Sequence, residues 1–148
     1  MKTVEIYTDG ACSGNPGAGG YCAILIYNGS EKIISGGERE TTNNKMELLA
    51  VIKGLEALKE TCIVNLYSDS AYVVDAFNKG WIFNWQNNNW RTADKKDVKN
   101  KELWLLVFEQ YKKHKINFIK VKGHADNYYN NICDKLATDE IKMHKQII

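Results

Sequence analysis

Two short runs in the chain echo each other. Ile6-Tyr7-Thr8-Asp9-Gly10 and Leu66-Tyr67-Ser68-Asp69-Ser70 both read aliphatic, Tyr, hydroxyl residue, Asp, small residue. Each closes a strand-like stretch. If the two strands are parallel neighbours, Asp9 and Asp69 lie side by side near their carboxyl ends, where open α/β sheets place their sites. Two close carboxylates repel, and a cation between them keeps both ionised. A ligand set made of oxygen alone selects a hard ion, Mg²⁺ or Mn²⁺, over zinc. Glu47 and Asp134, each near the start of an expected helix, are two further carboxylates that could reach such a place. Each of the four also has a plainer reading. Asp9 and Asp69 suit turns or helix N-caps, Glu47 suits a capping pair with Asn44, and Asp134 suits a first-turn acid favoured by the helix dipole. Spacing alone does not join the four.

The elements that must position them can be read from periodicity. Thr3–Thr8 alternates and runs into Asp9-Gly10, a strand entering a turn. The Gly-rich run from Gly14 to Gly20 reads as a tight turn, and the apolar run Tyr21–Tyr27 as a second strand. Asn28-Gly29 is a hairpin signal leading to a third strand near Lys32–Ser35. From Asn44 to Glu60 the period changes: Met46, Leu49, Ile52, Leu55 and Leu58 form one helical stripe. Cys62–Tyr67 reads as a fourth strand, residues 71–79, 81–89 and 101–113 as helices, Ile116–Val121 as a fifth strand and Ile132–Lys145 as a closing helix. The stretch Gly123–Asn131 before that helix reads as a polar loop. Strands alternating with helices after an initial hairpin predict a mixed α/β sheet.

Composition narrows the classes. The 148 residues, 44% hydrophobic and 26% charged, suit one domain with one core, and argue against a disordered or fibrous chain. No stretch approaches 18 uninterrupted apolar residues, and the first residues carry no secretory signal, so the expectation is a soluble cytoplasmic domain with no membrane partner. Cys12, Cys22, Cys62 and Cys133 are scattered without CxxC or zinc spacing, which predicts reduced thiols. The net charge of +2 hides an asymmetry. Residues 81–124 hold ten Lys/Arg against four Asp/Glu, a surplus of six, and the rest of the chain carries a deficit of four. Such a basic segment fits either a polyanion partner or a solvated Lys-rich face.

Taken together these motifs resemble ribonuclease H type 1, bacterial branch. The resemblance is carried by Tyr7-Thr8-Asp9-Gly10 running on to Pro16-Gly17, by Thr42-Asn43-Asn44-Lys45-Met46-Glu47-Leu48, by Ser68-Asp69-Ser70, by Gly123-His124 and by Cys133-Asp134. Trp81-Ile82-Phe83-Asn84-Trp85, Trp90 to Lys96, Val98-Lys99-Asn100 and Leu103-Trp104 fit the same family, so the match spans nearly the whole chain in order. It implies a ribonuclease H-like α/β fold: a mixed five-stranded sheet flanked by helices, with a helical substrate-binding protrusion, as a single catalytic domain over residues 1–148. It implies an endonuclease that cuts the RNA strand of RNA/DNA hybrids with two Mg²⁺ ions, Mn²⁺ able to substitute, leaving 5′-phosphate and 3′-hydroxyl ends.

The residue roles follow from the same resemblance. Asp9, Glu47, Asp69 and Asp134 are the implied metal ligands, and His124 the implied proton shuttle. Cys12, Asn15, Asn43 and Asn44 match readers of the minor groove and the RNA 2′-hydroxyls; an Asn suits a group that both donates and accepts. Thr42 and Asn100 match a pocket for a DNA phosphate. Trp81 and Trp85 match the protrusion that takes the DNA strand, by stacking with Lys nearby, whereas Trp90 and Trp104 read as core. Three departures stand out: Gln86-Asn87-Asn88-Asn89 in place of Lys/Arg-rich sequence, Ala71 in place of a substrate-contacting Gln, and Asp126 in the loop after His124. The chain begins at the first strand, so no separate hybrid-binding domain is expected, and a monomer is expected. The rival readings are a hybrid-binding module with weak or no catalysis and a DNA-acting nuclease on the same scaffold. The four acids argue against the first, and Thr42-Asn43-Asn44 against the second.

Overall fold

The computed structural model describes residues 1–122 and 127–145. Five strands, β1 (Lys2–Cys12), β2 (Gly17–Tyr27), β3 (Ser30–Thr41), β4 (Cys62–Ser68) and β5 (Lys115–Lys120), form one sheet in the order β3-β2-β1-β4-β5. The hairpin signal at Asn28-Gly29 is met by left-handed backbone at both residues (φ 51° and 78°), and β2 pairs antiparallel with β1 and β3. β4 and β5 add in parallel on the other side. The sheet is therefore mixed, as the order of elements predicts. β1 is the strand where the antiparallel and parallel halves meet.

The helices are α1 (Asn43–Glu56), α2 (Ala71–Asn78), α3 (Trp81–Asn87), α4 (Lys101–Lys113) and α5 (Tyr128–His144). Side chains alternate across a strand, and the strands use this to serve two cores. Val4 and Ile6 of β1 and Ala23 and Leu25 of β2 join a large cluster with Leu48, Ile52 and Leu55 of α1 and the fully buried Trp104 of α4. Cys22 and Ile24 of β2 face the other way, against Cys133 and Ala137 of α5. So α1 and α5 cover opposite faces of the sheet. All four cysteines are free thiols, as their scatter implies.

Several expected boundaries move, each for a physical reason. β1 continues through Asp9-Gly10 to Cys12, because β2 begins at Gly17 and pairs with it as far as Cys12↔Gly19; the run expected to be a turn is half strand. β3 is three times the expected length, since backbone pairing with β2 holds polar residues such as Glu38 in the sheet. Helix α1 stops at Glu56, four residues short. Its cap is Thr42, whose hydroxyl accepts from Lys45 N at 3.3 Å, and not Asn44, which lies inside the helix. Glu47 is thus released from the capping role. Helix α5 starts at Tyr128, four residues before the expected Ile132, capped by the Asn127 side chain on Asn130 N at 2.9 Å. Asp134 is consequently in the second turn, not the first. Among the described residues no helix is long and apolar enough to cross a membrane.

Candidate active site

The two echoed motifs come together by register. β1 and β4 pair in parallel with Ile6↔Leu66 and Tyr7↔Tyr67, and the two Tyr rings stack at 4.4 Å with planes 9° apart. Asp9 and Asp69, each two residues further on, therefore emerge at the same end of adjacent strands. Asp69 follows the last residue of β4 directly. The capping role it might have taken falls to Ser70, whose hydroxyl accepts from Val73 N at 3.3 Å.

Glu47 reaches the pair because α1 lies directly on the end of β1. A Cβ placed on Gly10 would stand 2.5 Å from the Met46 carbonyl carbon and 2.9 Å from Glu47 Cα. Only glycine permits that approach, and it brings Glu47 beside Asp9, both 4% exposed. Carboxylate oxygens of Asp9, Glu47 and Asp69 all lie within 4.8 Å of one another. The fourth acid comes from the opposite face. Cys133 is buried and donates its thiol to Cys22 O at 3.1 Å and Tyr7 O at 3.5 Å, fixing α5 on β1 and β2. The next residue, Asp134, lines the same cleft of about 370 Å³ as Asp9, Glu47, Asp69, Cys12 and Asn43.

The electrostatics of this cluster are severe. Burial, then the neighbouring charges of Asp69 and Asp134, push the Asp9 carboxyl up to about 8. Burial and the Asp9 and Asp69 charges push Glu47 well above the ordinary carboxylate range. Asp9 Oδ1 accepts from Gly10 N at 2.9 Å, whereas its Oδ2 is buried with no hydrogen-bond partner among the described residues. A buried carboxylate oxygen without a donor, in an all-oxygen cluster, is what a hard divalent cation satisfies. The residues present fit such an ion.

The other sequence-derived positions fall into three places. Around the cleft, Cys12 donates to Gly17 O and Thr41 O, both at 3.4 Å, and the exposed Asn15 accepts from Asn43 N at 3.3 Å. Thr42 and Asn44 lie beside Asn43 in the cap and first turn of α1. Asn100 is separate, at the start of α4 with left-handed backbone (φ 61°), lining a groove of about 610 Å³ together with Lys45 and Lys101. Trp81 and Trp85 are on α3. Trp81 is 39% exposed with Lys79 Nζ 5.9 Å from its ring centre, and Trp85 is half-buried, edge-on to Trp104 at 5.3 Å. Trp104 is fully buried and Trp90 packs on Phe108 at 5.6 Å, so both belong to the core, as their reading predicts. His124 and Asp126 lie outside the described residues. The sequence reading missed Tyr72, whose hydroxyl joins Asn100 to Trp104; nothing in its local spacing marks it.

A family model described as RNase H matches residues 1–142. Ribonuclease H of Caldanaerobacter subterraneus subsp. tengcongensis is 64% identical over 143 residues, covering 97% of this chain and 94% of that protein. Ribonuclease H of Acetivibrio thermocellus is 61% identical over 142 residues, covering 96% and 97%. Among solved structures, LC9-RNase H1, a type 1 RNase H with the type 2 active-site motif, superposes with a TM-score of 0.82 at 25% identity over 99% of this chain and 75% of that one. The N-terminal RNase H domain of a Mycobacterium tuberculosis protein shares the fold, with a TM-score of 0.76 at 23% identity over 97% and 96%. The sheet order and flanking helices agree with these matches, and the chain belongs to the ribonuclease H family of nuclease enzymes.

Proposed function

We propose that this enzyme hydrolyses the RNA strand of RNA/DNA hybrids, leaving 5′-phosphate and 3′-hydroxyl ends, with two Mg²⁺ ions held by Asp9, Glu47, Asp69 and Asp134. The observation that carries the reading is the carboxylate cluster, three oxygens within 4.8 Å and one of Asp9 buried without a donor. When bound there, divalent ions lower the pKa of the attacking water and neutralise charge on the leaving 3′ oxygen. Asp9 keeps one oxygen on Gly10 N and offers the other inward. Glu47, too buried to turn away, completes the set from the α1 side. His124 is proposed as the proton shuttle on the resemblance alone.

Substrate contacts divide between the strands. Cys12, Asn15, Asn43 and Asn44 are proposed to face the RNA minor groove, which the clustering of Cys12 and Asn43 along the carboxylate cleft supports. Thr42 and Asn100 are proposed to hold a DNA phosphate. Trp81, an exposed ring with a Lys beside it, and Trp85 are proposed to take the DNA strand. The neutral Gln86–Asn89 stretch at the end of α3 lowers non-specific affinity and its salt dependence. The test is Mg²⁺-dependent cleavage of a strand-labelled hybrid beside duplex DNA, duplex RNA and single-stranded RNA, with Asp9→Asn as control. Cutting confined to the hybrid's RNA strand and lost in the variant is expected. Turnover near wild type in Asp9→Asn would refute the ligand assignment.

A further inference from the structure

We infer that Tyr72 is a positioning residue for the DNA strand, holding the Asn100 side chain where a phosphate can use it. This rests on the proposed phosphate role of Asn100. The observation is a three-residue relay. Trp104, fully buried in α4, donates Nε1 to the Tyr72 hydroxyl oxygen at 2.9 Å, and Asn100 donates Nδ2 to the same oxygen at 3.1 Å. The Tyr72 ring packs on Trp104 at 5.3 Å, so the oxygen is fixed from both sides.

Asn100 stands at the N-cap of α4, where an Asn side chain ordinarily turns back to accept from the helix's own N–H groups. Here it makes no such bond. Tyr72 instead draws the amide away from the helix, while the left-handed backbone at φ 61° sets its direction. An amide nitrogen carries two hydrogens: one goes to Tyr72, and the other is left for an anion in the groove. Lys45 and Lys101 line that groove and supply positive charge; Lys101 also pairs with Asp97 at 3.6 Å, and Glu38 and Glu102 are the remaining acids. Tyr72 is on α2, three residues after Asp69, so the relay ties the phosphate groove to the element that leaves the carboxylate cluster.

Removing the hydroxyl in Tyr72→Phe lets the amide fall back onto α4. KM for hybrid is expected to rise about 3- to 10-fold, the size of one ordinary hydrogen bond lost, with kcat within about twofold. Asn100→Gly, which keeps the left-handed backbone without strain, should raise KM by a similar factor. The double variant should be no worse than Asn100→Gly alone, because Tyr72 acts through Asn100. A merely structural role for Tyr72 would lower Tm and leave KM unchanged. If Asn100→Gly raises KM and Tyr72→Phe does not, or if the two effects multiply, the positioning role is overturned and the phosphate reading stands. If Asn100→Gly leaves KM at the wild-type value, the phosphate reading itself fails, and with it the role of Tyr72.

Discussion

Replacing Asp9 by Asn should make the metal-free protein more stable while abolishing cleavage. An isolated carboxyl titrates near 3.8, but Asp9 in the folded protein is pushed up to about 8 by burial and by Asp69 and Asp134. The unfolded chain releases this proton near the lower value and the folded protein near the higher one. Folding therefore binds a proton across that window, and stability without metal falls as pH rises through it. The full interval is worth about 6 kcal/mol at roughly 1.4 kcal/mol per pH unit. Glu47 and Asp69 share the repulsion, so neutralising one member should return about 2–4 kcal/mol at pH 8. For a chain of this length that is a rise in Tm of about 5–15 °C. The assay is thermal unfolding in excess chelator at pH 8 and pH 4, with wild type and variant side by side. Near pH 4 the two should agree within about 1 kcal/mol, since the folded wild type already holds the proton. Mg²⁺ at pH 8 should raise the Tm of wild type and do so much less in the variant. A variant less stable than wild type at pH 8, or a gain equal at both pH values, would refute the electrostatic account.

Four further substitutions test the placement of other elements. Gly10→Ala puts a Cβ against the backbone of Met46 and Glu47; the displaced α1 should cost about 1–3 kcal/mol and, by moving Glu47, lower kcat at least about tenfold, read by denaturant unfolding and single-turnover cleavage. Trp104→Ala should cost about 3–5 kcal/mol, whereas Trp81→Ala, with its ring 39% exposed, should leave Tm nearly unchanged and raise KM. His114 Nδ1 accepts from Cys62 N at 3.1 Å, and burial, then Lys113, holds its pKa below the ordinary 6.5. Stability owed to this bond is present above 6.5 and lost as pH falls below it, so an acid-limb loss of up to about 1 kcal/mol should vanish in His114→Gln, measured by urea unfolding in the Asp9→Asn background.

What the sequence made legible follows from how many constraints each residue carries. The echo at Asp9 and Asp69 was readable because parallel neighbours in register repeat side-chain environments, so Tyr7 and Tyr67 stack and the acids after them coincide. The stripe in α1 was readable because one face packs on the sheet. Glu47 was harder, since a carboxylate near a helix start serves a cap equally well, and only the contact at Gly10 distinguishes the two. The extent of β3 was not legible: at the sheet edge its Glu and Arg side chains are solvated, and pairing is written in the backbone. The start of α5 was missed because Tyr128 and Tyr129 carry no helical period of their own, and Asn127, the capping residue, looked like loop. Tyr72 was invisible because its partners are 28 and 32 residues away.

The thiol contacts of Cys133 span 111 and 126 residues of chain, closing α5 onto the first two strands. During synthesis β1, α1 and β4 emerge first, and they can gather Asp9, Glu47 and Asp69 before α5 exists. The fourth acid arrives with the final helix, docked by a buried thiol that has no acceptors until both strands are in place. A nascent or truncated chain ending before Tyr128 lacks Asp134 and is expected not to cut. On the proposed ligand assignment, cleavage is expected to follow the docking of α5 onto β1 and β2 rather than the earlier folding of the sheet.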